Sequence, residues 1–227
     1  MAVDLVAEFA RRGPWITQFV INGVATGGEY KVVNEGRVQQ FLGRFPNVRT
    51  ILELGSLEGG HTFTLARHPG VEQILAIEGR TTNIEKAKFI GSLLGISNVE
   101  FKHANLEQLR LASLGHFDAI FCCGLLYHLP EPWKLISQAP LVAPSLFVWT
   151  VYANEDEVTI EMDGLRGREY VEGGLDEPLS GLSPKSVWLT LSSLLKLLKR
   201  SGYGNVEVLE KSQNPNGPAV TLAASVG

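Results

Sequence analysis

Residues 51–62 read Ile51-Leu52-Glu53-Leu54-Gly55-Ser56-Leu57-Glu58-Gly59-Gly60-His61-Thr62. The apolar run at the start ends in the acidic segment around Glu53, and a glycine-rich turn follows before a helical segment. This order predicts a strand, a tight turn and a helix, the arrangement of a loop that binds a nucleotide cofactor. A second apolar run, 74–77, ends at Glu78, about where a ribose-binding acid is expected in a strand-helix-strand unit.

The chain beyond this loop alternates apolar strands with helical segments. Strands are predicted at 50–54, 73–78, 98–103, 117–123 and 145–151, and helices at 59–68, 82–94, 106–113 and 131–139. Such alternation favours a parallel, doubly wound sheet. A turn signal at 214–217 lies between two further apolar runs and predicts an antiparallel pair. The expected fold class is α/β, with a seven-stranded, mostly parallel sheet and an antiparallel C-terminal strand pair.

Two segments are predicted to flank or interrupt this sheet. We divide the chain into an N-terminal helical extension or lid at 1–47 and a cofactor-binding domain at 48–227. In the extension, apolar residues at helical spacing predict a helix over 3–12, and Asn34 is expected to cap a second helix. Residues 152–183 contain several glycines and predict an inserted lid above the sheet.

The segment after the insertion is expected to return to a helix. Ser183-Pro184 resembles a helix start, and Trp188 shares one face with the leucines that follow it at spacings of three and four. Gly202 is expected to end this helix.

Charge and composition restrict the partners. The 227 residues carry a net charge of −4, from 20 basic and 24 acidic side chains without long runs of one sign. Binding to a nucleic-acid backbone requires a basic patch, and these charges do not indicate one. We therefore expect a small-molecule partner and no nucleic acid. Cys122 and Cys123 are adjacent in an apolar run, where pairing is strained, which favours a reducing cytoplasm. No uninterrupted run of roughly 18 apolar residues occurs, so we expect no membrane association.

The residues around the glycine turn argue against two cofactor classes and a metal. Leu57 stands at the middle glycine of the nicotinamide fingerprint, and Glu53 stands where dehydrogenases carry an apolar residue. The absence of Gly-Lys-Ser and Gly-Lys-Thr excludes a Walker loop. The five histidines lack metal-binding spacing, so no metal is expected. A cofactor without phosphates remains.

Residues 48–227 resemble the class I S-adenosylmethionine (SAM) methyltransferases, with the family's motifs in order. Residues 53–59 resemble the first motif, acid-x-Gly-x-Gly-x-Gly, and residues 117–130 resemble the fourth-strand motif, which faces the sulfonium and the acceptor. The resemblance implies SAM as the cofactor and S-adenosylhomocysteine (SAH) as the product. It assigns cofactor binding to Glu53, Gly55, Ser56, Gly59, Glu78, Gly79, Arg80, Asn105, Leu106 and Cys123.

Specific roles follow from the same resemblance. Glu78 is expected to bind both ribose hydroxyls, and Asn105 to accept from the adenine amino group, with Leu106 beside the ring. Leu57 replaces a glycine of the family pattern and Asn105 replaces an aspartate. The asparagine oxygen still accepts a hydrogen bond, so the adenine contact is expected to persist.

The implied reaction is in-line displacement, in which an oxygen or nitrogen of a small-molecule acceptor attacks the methyl carbon. His128, just past the fourth strand, is the candidate base, with Tyr127 beside it. A histidine there also suits a plain hydrogen bond within a loop. The candidate acceptor-binding residues are Trp15, Tyr127, Tyr170, Lys185 and Trp188, the aromatic ones because their faces pack on flat substrates.

Two alternative functions stay open. Residues 124–128 and 186–189 resemble the tRNA wobble-uridine carboxymethyltransferase group, which uses carboxy-SAM and needs a basic residue near the transferred carboxylate. Lys185 stands roughly where that residue is wanted. The other alternative is a non-catalytic SAM-fold module that recruits a partner chain. A homodimer is also compatible with the sequence.

Overall fold

The computed structural model describes residues 3–31 and 35–227. Its strands are β1 (Thr17–Gln18), β2 (Val20–Ile21), β3 (Val24–Ala25), β4 (Tyr30–Lys31), β5 (Thr50–Leu54), β6 (Gln73–Glu78), β7 (Val99–His103), β8 (Ala119–Cys123), β9 (Ser145–Val151), β10 (Ile160–Met162), β11 (Leu165–Val171), β12 (Lys185–Leu189), β13 (Asn205–Asn214) and β14 (Gly217–Ser225). Its α-helices are α1 (Leu5–Arg12), α2 (Gly36–Arg44), α3 (Gly60–Ala66), α4 (Thr81–Leu93), α5 (Pro132–Gln138) and α6 (Leu191–Arg200). Short 3₁₀ helices span Leu111–Leu114, Leu126–His128, Ala139–Leu141 and Glu155–Glu157.

The central sheet has seven strands in the order β13-β14-β9-β8-β5-β6-β7. Strands β5 to β9 are parallel, whereas β14 runs antiparallel to both β9 and β13. The predicted α/β fold class is confirmed. Because β5 has β6 on one side and β8 on the other, the connections diverge at its carboxyl end, where open α/β sheets bind their ligands.

Side chains of the parallel strands alternate between two buried layers. One layer joins the sheet to α5 and α6 through Leu52, Ile120, Leu135 and Leu197. The other joins it to α2 and α3 through Ile51, Phe121, Phe41 and Leu65. Helices therefore cover both faces, which explains why the parallel strands read as continuous apolar runs.

The N-terminal extension packs against the sheet domain through short elements. The Asp4 carboxylate caps α1 by accepting from the Ala7 amide at 3.1 Å. Strands β1 and β4 pair in parallel, and β2 and β3 form an antiparallel pair. Asn34, the expected cap of the second helix, lies outside the described residues. The Glu35 carboxylate accepts from the Arg37 amide at 3.1 Å at the start of α2.

The helix predicted over 106–113 is wrong. The Asn105 side chain accepts from the Glu107 amide at 2.9 Å and closes a local turn. Arg110 then adopts an extended conformation, and only the 3₁₀ turn Leu111–Leu114 follows. This side-chain hydrogen bond competes with the helical hydrogen bonds and prevents a helix, an effect that is typical of asparagine.

The insertion is more ordered than predicted, and it ends later. Strands β10, β11 and β12 form a three-stranded antiparallel sheet. Trp188 pairs with Arg168 in this sheet, so the expected helix from Ser183-Pro184 is wrong up to position 189. The helix starts at Leu191, where the Thr190 hydroxyl accepts from the Ser193 amide at 3.3 Å. Strand pairing overrides the helical spacing of Trp188.

Candidate active site

A cleft of about 430 Å³ opens at the carboxyl ends of the parallel strands. The sequence-predicted residues that line it are Gly55, Ser56, Glu78, Gly79, Arg80, Asn105, Leu106, Cys123, Tyr127 and His128. Segments from the N-terminal extension, the insertion and the turn between β13 and β14 complete its walls. The fold therefore brings most of the predicted cofactor residues to one cavity.

The glycine-rich loop keeps a left-handed backbone at three alternate positions. The φ angles are +80° at Gly55, +50° at Leu57 and +87° at Gly59. A Cβ at Gly59 would lie 2.8 Å from the Phe63 ring, so no larger residue fits there. Leu57 replaces a motif glycine, and it adopts the conformation that glycine favours.

Glu78 connects this loop to the end of β6. Its buried carboxylate accepts from the Leu57 and Arg80 amides, both at 2.9 Å, and from the Asn83 side chain at 3.2 Å. Burial raises the pKa of Glu78, although the hydrogen bonds from Arg80 and Leu57 lower it in part. Because a carboxylate has about four acceptor sites, the three bonds leave room for about one ribose hydroxyl without rearrangement.

Two of the predicted cofactor residues, Glu53 in β5 and Gly59 in the glycine-rich loop, do not line the cleft. Glu53 is 1% exposed, and burial raises the pKa of its carboxyl group to about 7. Its Oε2 atom has no hydrogen-bond partner within residues 3–31 and 35–227. Glu53 therefore supports the loop as a nearly isolated buried acid.

A segment of the insertion, residues 172–183, covers the side of the cleft near Glu78; we name it the lid loop. The Arg80 guanidinium donates to the carbonyl oxygens of Gly174, Glu177 and Ser180 at 3.4, 3.1 and 3.0 Å. A Cβ at Gly79 would lie 2.6 Å from the Leu182 side chain. The lid loop thus rests closely on the residues that follow β6.

His128, which lines the cleft, forms a hydrogen-bonded pair with Glu172 of the lid loop. His128 Nδ1 lies 3.1 and 3.2 Å from the two carboxylate oxygens, and Glu172 Oε2 also accepts from Ser180 Oγ and the Gly181 amide at 2.7 Å. Burial alone would raise the pKa of Glu172, but the hydrogen bonds from His128 and its neighbours outweigh it and hold the pKa at about 2. In the neutral imidazole, the hydrogen bond to this carboxylate places the proton on Nδ1 and leaves Nε2 as the acceptor.

The predicted acceptor-binding residues divide into one that lines the cleft and four that do not. Tyr127 lines it, with its ring centre 4.1 Å from that of His128, and burial raises the pKa of its hydroxyl to about 12. Trp188 packs edge-on behind Tyr127 at 6.1 Å and stacks with Tyr170 at 4.4 Å. Both rings therefore form a layer behind the lining.

The other two residues lie further from the cavity. Trp15 is buried in the N-terminal extension, and its Nε1 donates to the Phe9 carbonyl at 2.8 Å. The exposed Lys185 pairs with Glu169 on the neighbouring strand β11. Neither side chain lines the cleft, which corrects their expected placement in the acceptor pocket.

Sequence reasoning missed several residues at the opposite wall. Tyr30, Arg37, His61 and Trp149 line the cleft, and Glu35 lies behind them. Tyr30, Glu35 and Arg37 lie in one polar stretch before β5, whereas His61 is in α3 and Trp149 is in β9, so no common sequence signal joins them. Glu172 was missed as well, although an acid in a glycine-rich segment offered a hint.

Glu58 holds the N-terminal extension against the glycine-rich loop. Its fully buried carboxylate accepts from the Ile16 and Thr17 amides, the latter at 2.6 Å, and pairs with Lys86 Nζ at 2.8 Å. Ile16 and Thr17 both line the cleft. The charge at Glu58 is thus compensated, and it places one wall of the cavity.

Neither a metal cluster nor a membrane-spanning helix is found in the part of the chain that the structure describes. Within those residues, no group of three or more His, Cys, Asp or Glu side chains is arranged to hold a metal ion. None of the described helices is long and apolar enough to cross a bilayer. Cys122 and Cys123 are buried free thiols, and burial raises the pKa of both.

Comparison with known proteins identifies relatives over the whole chain. Residues 47–157 match the family described as a methyltransferase domain. The N-terminal domain of EvdMO1, crystallised in the presence of SAH and D-fucose, is 33% identical with a TM-score of 0.88. That match covers 99% of this chain and 98% of the EvdMO1 domain.

Two further relatives are longer than this chain. Full EvdMO1 is 30% identical with a TM-score of 0.77, and the match covers 97% of this chain but 46% of EvdMO1. The tRNA U34 carboxymethyltransferase of Idiomarina loihiensis is 25% identical over 71% of this chain. The chain spans about half the length of this curated relative, 47%.

Proposed function

Since the chain belongs to the class I SAM-dependent methyltransferases, we propose that it transfers a methyl group from SAM to a hydroxyl oxygen of a small-molecule acceptor. The choice of an oxygen acceptor rests on His128, which lines the cleft and is hydrogen-bonded to Glu172. A hydroxyl must lose its proton as it attacks, so a positioned base is of direct use. The EvdMO1 domain was crystallised with D-fucose, a small molecule rich in hydroxyl groups, which supports this acceptor class.

The residues of the cleft fit the cofactor. The glycine-rich loop after β5 admits close approach, the buried Glu78 retains acceptor capacity for a ribose hydroxyl, and Leu106 offers an apolar contact for a flat ring. When bound, SAM supplies an electrophilic methyl carbon on a sulfonium. We therefore assign cofactor binding to the lining residues Gly55, Ser56, Glu78, Gly79, Arg80, Asn105, Leu106 and Cys123.

Within the proposed reaction, His128 accepts the proton of the acceptor hydroxyl at Nε2. Glu172 binds Nδ1, fixes the ring and stabilises the imidazolium that forms. Tyr127 packs against the imidazole and forms the apolar floor beside it. The lid loop, which is hydrogen-bonded to Arg80, limits the entry of water to this end of the cleft.

A direct assay tests this proposal. Purified protein is incubated with SAM and a panel of hydroxylated small molecules, and methylated products are measured by mass spectrometry. We expect His128→Ala to lower kcat by about 100-fold to 10,000-fold while the affinity for SAM, measured by calorimetry, is retained. His116→Ala, at an exposed histidine, is the matched control and should behave as the wild type.

Three results would contradict parts of the proposal. Lack of SAM and SAH binding would reject the cofactor assignment. Turnover of His128→Ala equal to the wild type would reject the base. Tight SAM binding without transfer to any acceptor would favour the non-catalytic module.

Carboxymethyl transfer to tRNA is the second candidate, supported by the 25% identity to the tRNA U34 carboxymethyltransferase. Lys185, the basic residue that we expected near the carboxylate, pairs instead with Glu169 outside the cleft lining, which weighs against this candidate. We therefore expect no preference for carboxy-SAM over SAM and no effect of Lys185→Ala on either affinity. A clear preference for carboxy-SAM in calorimetry would reverse the ranking.

A further inference from the structure

The cleft has two halves that the sheet order separates. Glu78 at the end of β6 and Asn105 after β7 lie on one side of β5, the side proposed to hold the ribose and adenine of the cofactor. Cys123 at the end of β8 and Trp149 near the end of β9 lie on the other side. Tyr127 and His128 follow β8, so the second half is the half that the acceptor would occupy.

A connected polar cluster forms the wall of this second half. We name Tyr30, Glu35, Arg37 and His61 the polar wall. Arg37 Nε donates to Glu35 Oε1 at 2.7 Å, and Arg37 Nη2 donates to the Tyr30 hydroxyl. His61 Nε2 lies 3.4 Å from both Glu35 Oε2 and the Tyr30 hydroxyl. The Arg37 guanidinium also lies 4.6 Å from the centre of the Trp149 ring.

The charges of the polar wall compensate each other. Burial would raise the pKa of Glu35, but His61 and Arg37 outweigh it and lower the pKa to about 2, so the carboxylate is ionised at neutral pH. Arg37 is therefore already paired and offers N–H donors without a free positive charge. An anionic acceptor would have to compete with Glu35 for it.

The chemistry of the surroundings matches a neutral ligand with several hydroxyls. The wall presents donors on Arg37 and both donor and acceptor capacity on Tyr30 and His61. Asn214, the last residue of β13, and Asn216, in the turn before β14, add amide groups to the same cavity. Tyr127 and Trp149 supply an apolar floor at 6.0 Å from one another, which suits the carbon face of a saturated ring.

We infer that the polar wall recognises a neutral, polyhydroxylated ring, a sugar or sugar-like unit, and turns one of its hydroxyls toward His128. The inference rests on the proposed function, because it names the acceptor class of the same site. Glu35 acts here as a specificity-determining residue: it occupies Arg37 and so disfavours acceptors that carry a carboxylate.

The test measures binding of matched sugars to the protein saturated with SAH. The probes are D-glucose and D-galactose and their uronic acids, D-glucuronate and D-galacturonate. Their binding is measured by saturation-transfer NMR and calorimetry. We expect at least one hexose to bind and its uronate to bind about tenfold more weakly. Glu35→Gln should reverse this order, because it leaves Arg37 free to pair with the uronate.

Two further variants separate recognition from folding. Tyr30→Phe should weaken hexose binding by about threefold to tenfold, since it removes one hydroxyl from the wall. Glu207→Gln, at an exposed acid that pairs with Arg44 outside the cleft, should leave all probes unaffected. Thermal unfolding of each variant confirms that its fold is retained.

The outcomes distinguish a failure of the proposed function from a failure of the inference about the acceptor. Failure of the wild type to bind SAH would contradict the proposed function itself. Intact SAH binding with no hexose bound, or with uronates preferred by the wild type, would overturn the inference alone. Loss of SAH affinity in both Glu35→Gln and Tyr30→Phe would also overturn it, because the wall would then hold the cofactor.

Discussion

Leu57 carries a backbone conformation that leucine rarely adopts. Its φ of +50° falls between two glycines, Gly55 and Gly59, that share the left-handed region. For a leucine this conformation costs roughly 1–2 kcal/mol. It persists because the Leu57 amide donates to the buried carboxylate of Glu78 at 2.9 Å, which fixes the loop from the end of β6.

Leu57→Gly should therefore be neutral or stabilising, by up to about 1 kcal/mol, because relief of strain exceeds the added chain entropy. Urea unfolding measures the change. Leu94→Gly is the matched control, since Leu94 has a φ of −85° and should lose at least about 1 kcal/mol on replacement. Equal losses at both positions would show that Leu57 is not strained.

At the scale of elements, the sequence predicted what local patterns encode. The strand from 50 to 54 and the turn at 214–217 follow from apolar runs and turn chemistry, and the structure has both. Trp188 was assigned to a helix because its spacing to later leucines is helical, whereas its pairing with Arg168 in β11 decides for a strand. That pairing is a tertiary contact, which spacing alone does not report.

The candidate site was predictable to a similar degree. The proposed cofactor half uses residues at or just past the ends of strands, such as Glu78 and Asn105, so motif order locates them. Its other half joins segments far apart in the chain: Arg37 lies over Trp149, and Glu172 reaches His128 across 44 positions. Only the folded chain brings such residues together.

Arg80 is one of the side chains that hold the lid loop. Arg80 Nη2 donates to three carbonyl oxygens of the loop, and lysine cannot reproduce these contacts because its side chain is shorter and its ammonium does not reach the position of Nη2. We expect Arg80→Lys to speed proteolytic cleavage within residues 173–181 and to weaken SAM binding by about tenfold. Arg166→Lys, at an insertion arginine that pairs with Glu155 away from the cleft, is the control. An unchanged cleavage rate in Arg80→Lys would contradict the role of Arg80 in holding the lid loop.

For the whole molecule, buried carboxyl groups make stability depend on pH in two opposite ways. Glu35 and Glu172 have pKa values lowered to about 2, so their contribution is complete above about pH 4.5 and is lost as the pH falls toward 2. Burial raises the pKa of Glu53 to about 7, so its contribution is complete below about pH 4.5 and is lost as the pH rises through 7.

These opposing signs predict a stability maximum near pH 5, with a decline on either side. Each group accounts for at most about 3 kcal/mol of the decline to which it contributes, because one pKa unit corresponds to about 1.4 kcal/mol.

Urea unfolding between pH 3 and pH 8 measures the decline on both sides of the maximum. Glu53→Gln should reduce only the decline above pH 5, to which Glu78, whose pKa burial also raises, contributes the remainder. Glu35→Gln should reduce only the decline below pH 5, to which Glu172 contributes the remainder. Glu207→Gln, at an exposed acid, should change neither decline. A decline above pH 5 that is as steep in Glu53→Gln as in the wild type would contradict the raised pKa of Glu53.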